Sequence, residues 1–237
     1  MKRRRKKRSK PQKPRKTLTS PAIVSPRIAK YYLQRHTLFS KYDAGVQLDE
    51  EGWFSVTPEP IAARHASLAA DNSLVIDCFS GVGGNAIQFA SSRCHVIAIE
   101  IDAKRVELAV NNANIYGVED YIDFVIGDFF QLAPRLKGDI AFLAPPWGGP
   151  SYSKVLNFTL DMLKPKHGYS IFQAAQSITP NIIMFLPRNM DLNEVEELSW
   201  LSSPPLNLKM EENQVKTRTK GITAYFGDTA SALPEDS

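Results

Sequence analysis

Between residues 74 and 187, short apolar runs alternate with segments of helical spacing, and this alternation constrains the fold more than anything else in the chain. Leu74–Phe79, His95–Ile101, Ile122–Ile126, Asp139–Leu143 and Ile182–Leu186 read as strands. Helices are expected over Ala86–Ser92, Ala103–Tyr116, Lys154–Leu163, Tyr169–Gln176 and Asp191–Leu198. Strand–helix alternation of this kind predicts a mainly parallel sheet covered on both faces, with ligands bound beyond the carboxyl ends of the strands. Leu206–Asn213 and Thr219–Phe226 read as two antiparallel strands. No apolar run reaches the roughly 18 residues of a membrane-spanning helix.

Ahead of the alternating region the chain changes character twice. Of its 29 Lys and Arg, 11 fall within residues 2–16, from Lys2 to Lys16, with no acid among them; the remaining 18 face 25 acidic residues, a net of −7. A folded acidic body thus follows a concentrated polycation that has nothing apolar to bury, a pattern of import signals and nucleic-acid arms. Residues 1–25 are read as a disordered basic tail, 26–70 as a small helical extension, 71–228 as the main domain, and 229–237 as a disordered end. In the extension a short helix is expected over Arg27–Phe39 and a loop over Phe39–Trp53; Thr57-Pro58-Glu59 reads as a capped helix start. The two cysteines, Cys78 and Cys94, and four scattered histidines make neither a disulfide framework nor a zinc site, and no metal is expected.

The chemistry collects at the strand ends. The first strand runs into Asp77-Cys78-Phe79-Ser80-Gly81-Val82-Gly83-Gly84-Asn85. Glycines let a ligand approach the backbone, and such a turn also suits dinucleotides. Asp77 favours another ligand: a carboxylate repels a pyrophosphate but welcomes a cationic amino-acid end, as in S-adenosylmethionine. Glu100, 23 residues on, has the spacing of an acid that binds a ribose diol. At the third strand end, Asp128 and Phe129 suit an adenine amino group and its ring face. At the fourth, Ala144-Pro145-Pro146-Trp147-Gly148-Gly149-Pro150 offers carbonyls on a stiff backbone followed by an indole, which suits a planar, amine-bearing base.

Asp77–Asn85 and Ala144–Trp147 resemble the class I S-adenosylmethionine-dependent methyltransferases, the second motif being the proline-proline-aromatic signature of amino-group methylators. Leu38–Asp43, Gly52–Glu59, Trp147–Tyr152, Leu186–Asn189 and Ile222–Asp228 are similar to the trimethylguanosine synthase family, over about residues 28–228. The resemblance implies a Rossmann-like, doubly wound, mostly parallel sheet with an antiparallel C-terminal hairpin and a helical N-terminal lid. It also implies an RNA cap guanine-N2 methyltransferase that converts the 7-methylguanosine cap of small nuclear and nucleolar RNAs to the 2,2,7-trimethyl form in two transfers. S-adenosylmethionine would be the methyl donor, without a metal.

By the same resemblance Asp77, Gly81, Gly83, Asn85, Glu100, Asp128 and Phe129 hold the donor, with Phe39 and Thr57 in the lid that closes over it. Trp147 stacks on the positively charged 7-methylguanine, the Ala144 and Pro145 carbonyls take up its amine, and Lys30, Tyr152 and Arg188 lie near the cap phosphates. Many relatives carry a polar residue where this chain has Ala144, so its side chain cannot accept from that amine. Capped small nuclear and nucleolar RNAs, and ribonucleoprotein core proteins, are the implied partners. The basic tail suits import to the nucleus, with the nucleolus as a narrower address. Methylation of another exocyclic amine, or a cap-binding adaptor with weak turnover, are the alternative readings.

Overall fold

The computed structural model describes residues 25–233; the basic run Lys2 to Lys16 lies outside them. Seven strands form one sheet in the order β3-β2-β1-β4-β5-β7-β6. They are β1 (Leu74–Asp77), β2 (His95–Glu100), β3 (Ile122–Ile126), β4 (Ile140–Leu143), β5 (Ile182–Pro187), β6 (Leu208–Val215) and β7 (Arg218–Phe226). The first five run parallel. β7 is antiparallel to both β5 and β6. The fold is thus the expected Rossmann-like one, and β1 lies at its switch point, between β2 and β4.

Strand period explains the two cores. Side chains alternate across a sheet, so Val75, Phe142, Ile183 and Phe185 face one cluster while Ile76, Ala141, Leu143, Met184 and Leu186 face the other. Over the first cluster lie α1 (Ala29–Tyr32), α2 (Arg35–Leu38), α3 (Glu50–Ser55), α4 (Glu59–Ala66), α5 (Gly84–Ser91) and α6 (Ala103–Tyr116). Over the second lie α7 (Phe129–Leu132), α8 (Gly168–Gln176) and α9 (Leu192–Ser199).

The structure departs from the sequence reading in five places. Arg27–Phe39 forms two single-turn helices, α1 and α2, rather than one. The expected loop at Phe39–Trp53 contains a 3₁₀ turn at Tyr42–Ala44 and the start of α3, where Asp49 caps the helix by accepting from the Gly52 amide at 2.8 Å. Thr57 is not the cap of α4: Pro58 occupies that position, with no side-chain hydrogen bond, and Thr57 is buried. The helix expected over Lys154–Leu163 is replaced by 3₁₀ turns at Pro150–Lys154 and Leu160–Met162. The Phe158 backbone is pulled into a bridge with Met190, donating to the Asn189 carbonyl and accepting from the Asp191 amide, both at 2.8 Å. Lastly, the end expected to be disordered from 229 begins as α10 (Asp228–Ser231), with Thr229 and Ala230 buried.

Candidate functional site

Beyond the carboxyl ends of β1, β2, β3 and β4 lies a cavity of about 270 Å³. Its floor is the turn after β1. Gly83 takes φ +87°, which glycine adopts without strain, and a Cβ there would come within 3.2 Å of the Ala109 side chain on α6. Gly84 opens α5 under the N-terminal extension: a Cβ there would sit 2.6 Å from Val56 Cγ2. The missing side chain therefore lets the extension close over the turn, and Glu51, Phe54, Ser55, Val56 and Thr57 become one wall of the cavity.

Beside the end of β1 two buried polar side chains lack partners among the described residues. Asp77 is 1% exposed, and neither carboxylate oxygen is hydrogen-bonded within the described residues; the same is true of the buried Ser80 Oγ. Burial pushes the Asp77 carboxyl up to about 7, and the Glu100 charge adds to the rise. The Phe79 and Ala86 amides face it and pull the other way, without reaching hydrogen-bond geometry. A buried carboxylate with nothing to pair with is costly. A cationic group in the cavity would remove that cost, so the residues present fit an amino-acid ammonium.

Glu100 is held differently. Its Oε2 accepts from the Gly81 amide and its Oε1 from the Asp102 amide, both at 3.0 Å, with Arg105 Nη1 at 3.9 Å. The carboxylate is therefore oriented before any ligand arrives. Arg105 also binds Asp49 Oδ2 at 2.8 Å and pairs with Glu51, tying the extension to the strand that carries Glu100. Asp128 caps α7, accepting from the Phe130 amide at 2.9 Å, and Phe129 is buried edge-on against Phe79. Cys78 lines the cavity too, but burial raises its thiol well above the ordinary range, which leaves it a poor nucleophile.

The far end of the cavity is aromatic. Trp147 is half-buried, with Tyr152 edge-on at 5.0 Å and Phe185 tilted at 5.2 Å, so one part of the indole is fixed and another faces the cavity. The Pro146 carbonyl accepts from the Lys164 amide at 3.0 Å. No loop or side-chain hydrogen bond among the described residues ends on the Ala144 or Pro145 carbonyl.

Of the residues singled out in the sequence, Asp77, Gly81, Asn85, Glu100, Asp128, Phe129, Thr57, Ala144, Pro145, Trp147 and Tyr152 line this cavity. Four do not. Gly83 packs on α6, and Phe39 lies behind Gly84 as core. Lys30 is exposed, its ammonium 4.7 Å over the Tyr31 ring. Arg188 is exposed at the end of β5, close enough for its charge to lower the Tyr152 hydroxyl, which burial otherwise raises. Sequence reasoning missed Glu51, Ser80, Arg105, Lys164 and Phe185. Asp49–Glu51 falls in the segment expected to be a loop, and nothing local in the sequence pairs it with Arg105. Among the described residues no group of three His, Cys, Asp or Glu is placed to share a metal ion.

Comparison with known proteins agrees with this geometry. Residues 72–229 match a family model described as RNA cap guanine-N2 methyltransferase. The trimethylguanosine synthase of Schizosaccharomyces pombe is 39% identical over 187 residues, covering 75% of this chain and 78% of that protein. That of Saccharomyces cerevisiae is 36% identical over 222 residues, covering 89% and 70%. Among solved structures, a tRNA m1G37 methyltransferase from M. jannaschii superposes with a TM-score of 0.53 at 17% identity, over 73% of this chain and 51% of its own. TrmN from Thermus thermophilus gives 0.52 at 20% identity, over 72% and 49%. The chain thus spans about half the length of these two structures, and at such identities they share its fold alone.

Proposed function

The chain belongs to the RNA cap guanine-N2 methyltransferase family, and on that premise we propose that it methylates the N2 amine of 7-methylguanosine caps on small nuclear and nucleolar RNAs, twice, to give the 2,2,7-trimethyl form. The observation that carries the proposal is the cavity itself: an unpaired buried acid at one end, a half-buried indole beside two free carbonyls at the other.

S-adenosylmethionine bound here would supply a methyl group on a positively charged sulfur, a donor that needs no further activation. Asp77 would hold its ammonium, Glu100 its ribose hydroxyls, and Asp128 with Phe129 its adenine. Trp147 would stack on the 7-methylguanine, whose positive charge an indole face attracts by roughly 1–2 kcal/mol when desolvated. That attraction gives a physical reason for requiring the 7-methyl group. The Ala144 and Pro145 carbonyls would accept from the N2 amine and aim its lone pair; the alanine side chain is then no handicap, because the acceptors are backbone. Lys30, Tyr152 and Arg188 would meet the cap phosphates, as suits Lys and Arg. Alignment and exclusion of water are what the protein contributes. A once-methylated amine keeps a lone pair, so the same site serves both transfers. The tail from Lys2 to Lys16 would direct the chain to the nucleus and bring it near ribonucleoprotein core proteins.

Incubation with a 7-methylguanosine cap and labelled donor should place label on N2, with unmethylated caps far poorer. Trp147→Ala should reduce turnover by at least about 100-fold, of the order seen when a group that positions substrate is lost, while leaving donor binding intact. An unlabelled cap, or a Trp147→Ala enzyme of normal rate, would count against the proposal.

A further inference from the structure

A buried chain of hydrogen bonds runs from the cavity to the far edge of the sheet, and no step above uses it. Asn85 Nδ2 lies 3.0 Å from His65 Nδ1, and His65 Nε2 lies 2.8 Å from Thr223 Oγ1. The Thr223 hydroxyl donates in turn to Asn213 Oδ1. All four residues are buried, His65 and Thr223 completely. Only Asn85 reaches the cavity, beside Asp77 and Ser80.

The Asn213 carboxamide, with its Oδ1 turned to the Thr223 hydroxyl, sets the directions along this chain. Thr223 spends its proton on Asn213, so it can only accept from His65, which places the imidazole proton on Nε2. Nδ1 then carries a lone pair and needs a donor, and Asn85 can supply one only through its amide nitrogen. With that end of the carboxamide turned to His65, its Oδ1 remains for the cavity, and no side chain or loop amide among the described residues donates to it. Burial also keeps the imidazole neutral, with its pKa lowered to about 3, so at physiological pH the ring carries a single proton. The ring packs against Phe142 and Phe185, its centroid 5.3 and 5.4 Å from theirs. If volume alone mattered, an apolar ring would fill the space without the cost of burying four polar groups.

We propose that His65 is a positioning residue for the methyl donor: through its Nε2–H tautomer it turns the Asn85 carboxamide so that Oδ1 joins Asp77 in accepting from the donor's ammonium. The inference rests on the donor reading of the cavity, and it adds a residue outside the cavity to the set that selects the amino-acid end.

The test compares two ligands by calorimetry. S-adenosylhomocysteine carries the ammonium; 5′-methylthioadenosine shares the nucleoside but lacks the whole amino-acid arm. His65→Phe should weaken the first about tenfold, the scale of one hydrogen bond to a charged group, and change the second by less than about twofold, the scatter expected between uncoupled groups. Thr223→Val keeps the shape at β7, frees the imidazole to take the other tautomer, and should move discrimination the same way. Nitrogen-15 NMR of the wild-type imidazole should show Nε2 protonated and Nδ1 bare, and in Thr223→Val a shift toward protonated Nδ1. Equal weakening of both ligands, unchanged affinity for S-adenosylhomocysteine in both variants, or a protonated Nδ1 in the wild type would overturn the proposal. If His65→Phe fails to fold, the threonine variant and the tautomer decide. Wild-type protein that binds neither ligand would instead remove the donor reading, and the tautomer would still report on the relay.

Discussion

Replacing Asp77 by Asn should make the unliganded protein more stable while depriving it of its donor. In the folded protein the carboxyl titrates at about 7, against 3.8 for an ordinary aspartate, because it is fully buried. Between those values the folded state keeps a proton that the unfolded state has released, so stability falls as pH rises. The loss is complete above pH 7, where it reaches on the order of 4 kcal/mol. Below about pH 4 both states are protonated, and Asp77 contributes nothing. Asparagine has nearly the same shape and no charge. Asp77→Asn should therefore match the wild type near pH 4 and gain on it through pH 7, with a constant margin above. Denaturant titrations followed by tryptophan fluorescence at several pH values measure that margin directly.

The same substitution removes the partner proposed for the ammonium. A lost hydrogen bond to a charged group is worth about 1.5–3 kcal/mol, so S-adenosylhomocysteine should bind roughly 10- to 150-fold more weakly. Wild-type binding near pH 7 should also release about half a proton, since the carboxyl is half protonated there and the ammonium requires it ionised. Calorimetry in buffers of different ionisation enthalpy detects that proton. A margin that does not vary with pH would refute the burial reasoning; unchanged donor affinity would refute the assignment of the partner.

Three further outcomes follow from the site. Arg105→Met should raise the KM for donor severalfold and speed proteolysis near α3, because Asp49, Glu51 and Glu100 lose their shared cation; limited proteolysis with and without donor checks it. Gly84→Val should weaken donor binding by at least about tenfold, since even its Cβ would meet Val56 at 2.6 Å and lift the extension from the glycine turn; normal affinity would mean that the extension does not close the site. If the tail serves import as proposed, deleting residues 2–16 should leave activity on a minimal cap analogue within about twofold, the scatter of uncoupled changes, while displacing the protein from the nucleus; fluorescence imaging and the cap assay read the two effects separately.

What was legible in the sequence is what local pattern controls. The five parallel strands could be read because each is a short apolar run, and the site because it is assembled from strand ends, where Asp77, Glu100, Asp128 and the Ala144–Trp147 turn stand out against their neighbours. Elements whose conformation depends on distant partners could not be read. α1 and α2 are single turns that would not persist alone; they hold by packing, as where Tyr32 lies 5.8 Å from Trp53. Lys154–Leu163 has helical spacing, but its Leu160 amide is taken by Glu194 Oε2 at 2.6 Å and its Phe158 backbone by the Met190 loop. Arg105 and His65 were missed for the same reason. Each draws its meaning from residues far along the chain: Arg105 from Asp49, 56 positions away, and His65 from Thr223, 158 away.

A carboxyl titrating near 7 inside a catalytic cavity is also what a general base looks like, so the role of Asp77 has to be decided by position and linkage. In the sheet it stands opposite Phe142, two residues short of the Ala144–Pro145 carbonyls, and it shares its end of the cavity with Ser80 and Asn85. From there it would meet the donor's ammonium rather than the base's amine. Once paired with a cation it would be ionised well below pH 7. The kinetics separate the roles. If Asp77 serves the ammonium, kcat/KM for donor should fall below about pH 7, while kcat at saturating donor stays level from about pH 6.5 to 8.5, since only the free enzyme titrates. If it were the base, the limb near 7 would persist in kcat. A level kcat leaves the amine proton to depart after methyl transfer, and the rate then depends on how well Trp147 and the two carbonyls hold the base.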